Sequence, residues 1–121
     1  MRYFLLGIFL ISVSGCGGAP PAMAGGKWAE ALRNPDDRVR KQAAFTLGNI
    51  GPSDPAVLPA LIGALKDRDA GVRAEAALGL LRIGPAAKEA VPALQEAARK
   101  DTNPTVRAHA GKALEKVQSG S

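Results

Sequence analysis

The chain has 121 residues, room for one small domain, and 16 Lys and Arg against 11 Asp and Glu give it a net charge of +5. The excess is spread along the chain and forms no basic stripe with interleaved aromatics, which argues against nucleic acid as a partner. Aromatics make up 4% of the residues while Ala, Leu and Gly are abundant, favouring helices packed through small side chains, and the single Cys16 excludes an internal disulfide.

The first segment reads as an address. Arg2 supplies one positive charge, and residues 4 to 13, FLLGIFLISV, form an apolar run of ten, where about 20 are needed to span a bilayer. VSGC, residues 13 to 16, follows directly and resembles the lipobox of bacterial lipoproteins: an aliphatic residue, two small residues, then Cys, with Val13 where Leu is commoner. The resemblance implies cleavage before Cys16, acylation of Cys16, and an exported protein lipid-anchored to the bacterial cell envelope, facing periplasm or exterior. Ordinary secretion is the rival reading, with AMA at residues 22 to 24 as a small-x-small cleavage site eleven residues past the apolar run.

Residues 17 to 26, GGAPPAMAGG, carry neither charge nor apolar period; Gly at both ends and Pro-Pro in the middle suit a tether. Cleavage before Cys16 removes Arg2 and leaves 15 basic residues against 11 acidic ones, a charge of +4. The expected organisation is a signal peptide at 1–15, lipidated Cys16 and tether at 16–26, a repeat domain at 27–118 and a tail at 119–121.

The repeat is the strongest feature. DDRVRKQAAFTLGNIGP, residues 36 to 52, and DAGVRAEAALGLLRIGP, residues 69 to 85, share Val, Arg, Ala, Ala, Leu, Ile, Gly and Pro in one order, 33 residues apart. Residues 94 to 117 are a third copy, shifted to an offset of 34 by one extra residue before Asp101. The connecting segments SDPAVLPA and AAKEAVPA also match.

Each unit is predicted to be two helices. In the second, Val39, Ala43, Leu47 and Ile50 form a stripe of helical period, repeated by Val72, Ala76, Leu80 and Ile83 and by Val106, Ala110, Leu114 and Val117. Asn34-Pro35 and Asn103-Pro104 read as an N-cap followed by Pro at the first helical position. Gly51-Pro52 and Gly84-Pro85 read as stop signals, with Gly in a left-handed cap. The first helices carry Leu58, Leu61, Ile62 and Leu65, then Val91, Leu94, Ala97 and Ala98, with Pro59 and Pro92 near their starts, where few intrahelical bonds are lost.

VRKQAAFTLGNIG and VRAEAALGLLRIG, each preceded by an Asp- and Asn-rich turn, resemble HEAT-like repeats of the phycobilisome-lyase type, over residues 28 to 117, about two and a half units. The resemblance implies an all-α fold: a short right-handed α-solenoid of helical hairpins, second helices lining the concave side. It also implies a hydrogen-bonded ladder between units at Asn34 and Arg40, Asp67 and Arg73, Asp101 and Arg107. Arg suits that task because its planar fork presents five donors. Three stacked arginines could also be read as an anion site. Asn34 lacks the charge, so the ladder is expected to be weaker at the first unit.

At about 100° per residue, the apolar stripe of the first unit centres about 40° from Val39 and Phe45 falls near 240°, almost opposite. Leu78 holds that slot in unit two and Lys112 in unit three, so Phe45 and Leu78 are expected side by side on the concave face. Around them fall Arg38, Lys41, Gln42 and Asn49, then Glu75 and Arg82, then His109 and Lys116. An apolar pair ringed by polar groups suits a protein-binding patch; singly exposed apolar residues are also ordinary, and the tether is a third way to cover the pair.

Chemistry is sparse. His109 is the sole His, no His-His or His-Glu spacing suits a metal, and no Ser-His-Asp set can be built from Ser53, Ser119 and Ser121. Asp36-Asp37 suits the positive end of a helix dipole. His109 reads as an ordinary solvated residue, and Trp28, in the slot of Leu61 and Leu94, as a lid on the first end of the stack. Neither a cofactor nor catalysis is expected.

The leading functional expectation is a non-catalytic scaffold or adaptor, anchored to the membrane, that binds an unidentified protein partner through its concave face. The alternatives are a subunit of a bilin-lyase-like or other enzyme complex, since related repeats attach bilins, and an anion-binding surface built on Arg82, Lys112 and Lys116. Self-association is a further expectation for so short a stack.

Overall fold

The structure is a computed structural model and describes residues 24–120. Arg2, Val13, Cys16 and most of the expected tether lie outside the described residues. Within them the chain is helical and has no strand. Helix α1 spans Ala24–Ala31 and α2 Asp37–Ile50; α3 spans Val57–Ala64 and α4 Ala70–Ile83; a 3₁₀ segment, Gly84–Ala90, leads into α5, Val91–Lys100, and α6, Pro104–Gln118.

The second helices α2, α4 and α6 pack in a row, each backed by the first helix of its own unit, α1, α3 or α5. The result is a short α-solenoid. One helical hairpin cannot cover its own apolar stripe, so neighbouring units stabilise each other. A single core runs through the stack, with Leu47, Leu61, Leu80 and Leu94 fully buried among Val57, Val72, Val106 and Val117. Fully burying each of these leucines contributes about 1.5–3 kcal/mol.

Val72 and Val106 are completely buried, but Val39 is only half-buried and lines a surface depression with Trp28 and Gln42. The row expected at these positions is therefore interior at two of them. Val72 and Val106 lie on helices that have a preceding second helix beside them, whereas Val39 lies on the first of the row. Trp28 packs on the edge of the core, half-buried where Leu61 and Leu94 are fully buried.

The capping pattern corrects one expectation. Asn103 does cap α6, accepting from the Thr105 and Val106 amides, with Pro104 at the first turn. In unit one the cap is Asp36, which accepts from the Arg38 amide, as Asp69 accepts from Val72 in unit two. Asn34 stands two residues earlier and holds the Asp36 amide, just as Asp67 holds Asp69 and Asp101 holds Asn103. Asn34 thus fills the slot of Asp67 and Asp101, not the capping slot.

Gly51 and Gly84 end α2 and α4 with φ of 86° and 70°, a region that favours glycine, and donate to Leu47 and Leu80. Their ψ of −178° and −140° is not that of the left-handed helical cap expected; each glycine turns the chain out of its helix.

The start of the domain also differs from expectation. Ala24, Gly25 and Gly26, assigned to the tether, form the first turn of α1, and Gly25 is buried. Its amide donates to a carboxylate oxygen of Asp54, 2.9 Å away in the α2–α3 turn. Asp54 also accepts from the Ala56 amide and is 8% exposed. Orphan amides at a helix start need acceptors, and here one comes from 29 residues away.

Candidate protein-interaction surface

Two constellations stand out. The first lies at the turns between first and second helices. Arg40, Arg73 and Arg107 each donate through Nη1 to the backbone carbonyl six residues earlier: Asn34 at 2.9 Å, Asp67 at 2.9 Å and Asp101 at 2.7 Å. The first two also reach forward into the next unit. Arg40 Nε stands 3.0 Å from Asp67 Oδ2 and its Nη2 3.1 Å from Oδ1; Arg73 Nε stands 2.8 Å from Asp101 Oδ2 and its Nη2 3.0 Å from Oδ1. These are two-pronged charge-assisted pairs.

The pairing runs from each Arg to the following unit's Asp, so the missing charge at Asn34 weakens nothing. The first rung is in fact the more enclosed on its arginine side: the Arg40 side chain is 5% exposed and that of Arg73 15%. Hydrogen bonding to Asp67 and Asp101 raises the pKa of Arg40 and Arg73 despite burial. Burial pushes the Asp101 carboxyl up, but the Arg73 fork and the Asn103 amide together hold it below its usual value. In the first two rungs the Arg and Asp groups are occupied by one another and by the adjoining turns, and these rungs tie each unit to the next, while Arg107 has no following unit to reach.

The second constellation is the outer face of α2, α4 and α6. Phe45 is 42% exposed, the one large apolar side chain so exposed among the described residues. Leu78 on α4 is half-buried. The contact made by the Phe45 ring is with Arg82, whose guanidinium carbon lies 5.1 Å from the ring centroid. The expected bare pair is thus partly roofed by a cation. A favourable cation–ring contact at such a site contributes about 0.5–1 kcal/mol. Sequence reasoning placed Arg82 in the surrounding ring because a helical wheel registers direction but not the reach of a long side chain across to the next helix.

Phe45, Arg38, Lys41, Gln42 and Glu75 line a depression of about 330 Å³ between α2 and α4. Arg38 is bridged to Asp36, whose carboxyl is held below its usual value by the Arg38 amide and side chain. Gln42 bonds to Thr46 within α2. Asn49, Lys112 and Lys116 are exposed. Lys116 extends along Gly84 at the end of α4.

Two polar atoms on this face are buried without a hydrogen-bond partner: Oε1 of Glu75 and Nδ1 of His109. They occupy the same slot in units two and three. His109 is therefore half-buried with one ring nitrogen shut in, rather than the solvated residue expected. Buried polar atoms normally find partners, so this slot is where the surface is least satisfied by its own chain. Among the described residues no three metal-ligating side chains come together, and no helix is long and apolar enough to cross a membrane.

Stacked helical hairpins joined by an Arg–Asp ladder define a helical-repeat protein. The particular class follows from sequence: the family described as HEAT repeats matches residues 27–117, and the chain belongs to it. HEAT-repeat proteins are in general non-catalytic scaffolds for protein interaction. A comparison with curated proteins returned no match.

Proposed function

We propose that the protein is a scaffold of the bacterial cell envelope, held at the membrane by a lipid on Cys16, which binds a protein partner across the outer, concave face of α2, α4 and α6. The observation that carries this reading is Phe45, 42% exposed on a face it shares with Leu78 and with the unpartnered atoms of Glu75 and His109. A surface with exposed apolar area gains from being covered. The ladder side carries no large apolar side chain so exposed among the described residues.

With α1 starting at Ala24, seven residues separate it from Cys16. Fully extended, that span reaches at most about 28 Å, so an anchored domain stays close to the membrane and meets partners there.

Affinity capture from detergent-solubilised envelope membranes tests the face. Proteins retained by the wild-type chain should be lost with Phe45→Glu combined with Leu78→Glu, while the helical circular dichroism is unchanged. Equal retention by the folded double variant overturns the reading. Mass spectrometry tests the anchor: an acylated Cys16 at the N-terminus is expected, and an unlipidated N-terminus at Gly25 removes it.

A further inference from the structure

We infer that the partner of this face is an acidic peptide segment, bound in extended form, with Arg82 as the receptor for one of its carboxylates. The inference rests on the reading of the face given above and specifies its ligand.

The charge pattern comes first. Ion pairs among the described residues take up Arg38, Arg40 and Arg73. Lys41, Arg82, Lys112 and Lys116 share the face of the second helices, and none of them makes an ion pair among those residues. The only carboxylate set into the same depression is Glu75. An acidic ligand is the electrostatic complement of such a surface.

Arg82 is the best placed of these cations. Its guanidinium lies over Phe45 and beside Gly48, where an added Cβ would come within 2.9 Å of its Nη2. A guanidinium resting on a ring loses rotamer freedom before any ligand arrives, yet its N–H donors point along its plane, away from the ring face. Ordering cost that normally opposes binding is thereby already met in the free protein.

Glu75 decides between kinds of anion. Glu75 lines the depression that Phe45 walls, although its unpartnered Oε1 is itself buried. A phosphate group at neutral pH brings mainly acceptors and negative charge, and Glu75 would repel it. An extended peptide brings a backbone N–H to face the Glu75 side of the depression and, on a neighbouring side chain, a carboxylate for Arg82.

The test uses the full chain in detergent, probed against an array of randomised dodecapeptides and against phosphatidylglycerol vesicles. Selected peptides should be rich in Asp and Glu. Their binding should weaken about tenfold with Arg82→Gln and about threefold with Phe45→Leu, which removes the ring but keeps apolar bulk. Selection of neutral or basic peptides, absence of any selected peptide, binding to vesicles alone, or acidic peptides indifferent to Arg82→Gln each overturns the inference. Neutral peptides lost with Leu78→Glu but not with Arg82→Gln would leave the scaffold reading standing and remove only its acidic ligand.

Discussion

Gly48 of α2 and Gly79 of α4 meet backbone to backbone: a Cβ built on Gly48 would stand 2.6 Å from the Gly79 Cα. The crossing of these helices is set there, and Arg82 uses the same gap to reach Phe45. Gly48→Ala gains helix propensity of about 1 kcal/mol but forces two backbones apart, and such overpacking costs about 1–3 kcal/mol. A net loss of up to about 2 kcal/mol is expected, lowering Tm by about 4–8 °C per kcal/mol in a domain of this size. Gly79→Ala is milder, since its Cβ would meet Gly48 Cα and the flexible end of Leu61 at 3.2 Å. Thermal unfolding of the two variants checks the order; equal effects would contradict the crossing.

Periodicity made the helix pairs legible because each unit repeats the same burial pattern. What it could not show was the exceptions, where one unit does something its sisters do not. Gly48 matches Leu81, and Asp54 matches the fully buried Ala87. Asp54 standing where the sister unit has Ala87 is a polar exception visible in the sequence, but the connector SDPAVLPA holds no sign of its partner Gly25, 29 residues away. The ladder residues were visible as a recurring spacing, but the spacing of six describes the bond to a backbone carbonyl. The forward link to the next unit depends on how turns stack in space.

The ladder makes stability depend on pH. In the folded chain the Asp101 carboxyl sits below the ordinary value of 3.8. A depressed folded pKa contributes stability that is full above the unfolded value and fades as pH falls through the folded one. Asp101→Asn should therefore cost about 1–2 kcal/mol at neutral pH, by weakening a charge-assisted pair that solvent partly screens. The gap between variant and wild type should narrow as pH drops from about 5 to about 2. Asp36 is shifted in the same direction, so the difference between the two proteins, not the wild-type curve alone, isolates Asp101. Urea titrations across that range decide; a gap independent of pH would exclude the ion pair as its source.

Arg73 and Arg107 hold equivalent positions with unequal partners. Arg73 bridges Asp101 and two carbonyls, whereas Arg107 is exposed and donates to Asp101 O alone. Arg73→Ala leaves Asp101 without its main donor and should destabilise by about 1–3 kcal/mol. Arg107→Ala should stay within about 0.5 kcal/mol, as surface changes usually do. Chemical unfolding of both variants measures this. Comparable losses would show that the bond to the preceding turn, rather than the link between units, carries the contribution of these arginines.

Asp54 fixes where the ordered domain begins. Its two oxygens hold the amides of Gly25 and Ala56, and a Cβ on Gly25 would fall 2.6 Å from the carboxylate, so only glycine fits without movement. Ala occupies the matching position 87, so Asp54→Ala removes the two bonds and little else. Loss of a helix-start acceptor costs about 1–2 kcal/mol. Here it should act locally: the Gly25 amide should exchange with solvent much faster and residues 24 to 28 should become open to protease, while the amide of Leu47 keeps its protection. Gly25→Ala should reproduce the effect from the other side of the contact. Unchanged exchange at Gly25 in Asp54→Ala would mean that α1 is held by Trp28 against the core alone.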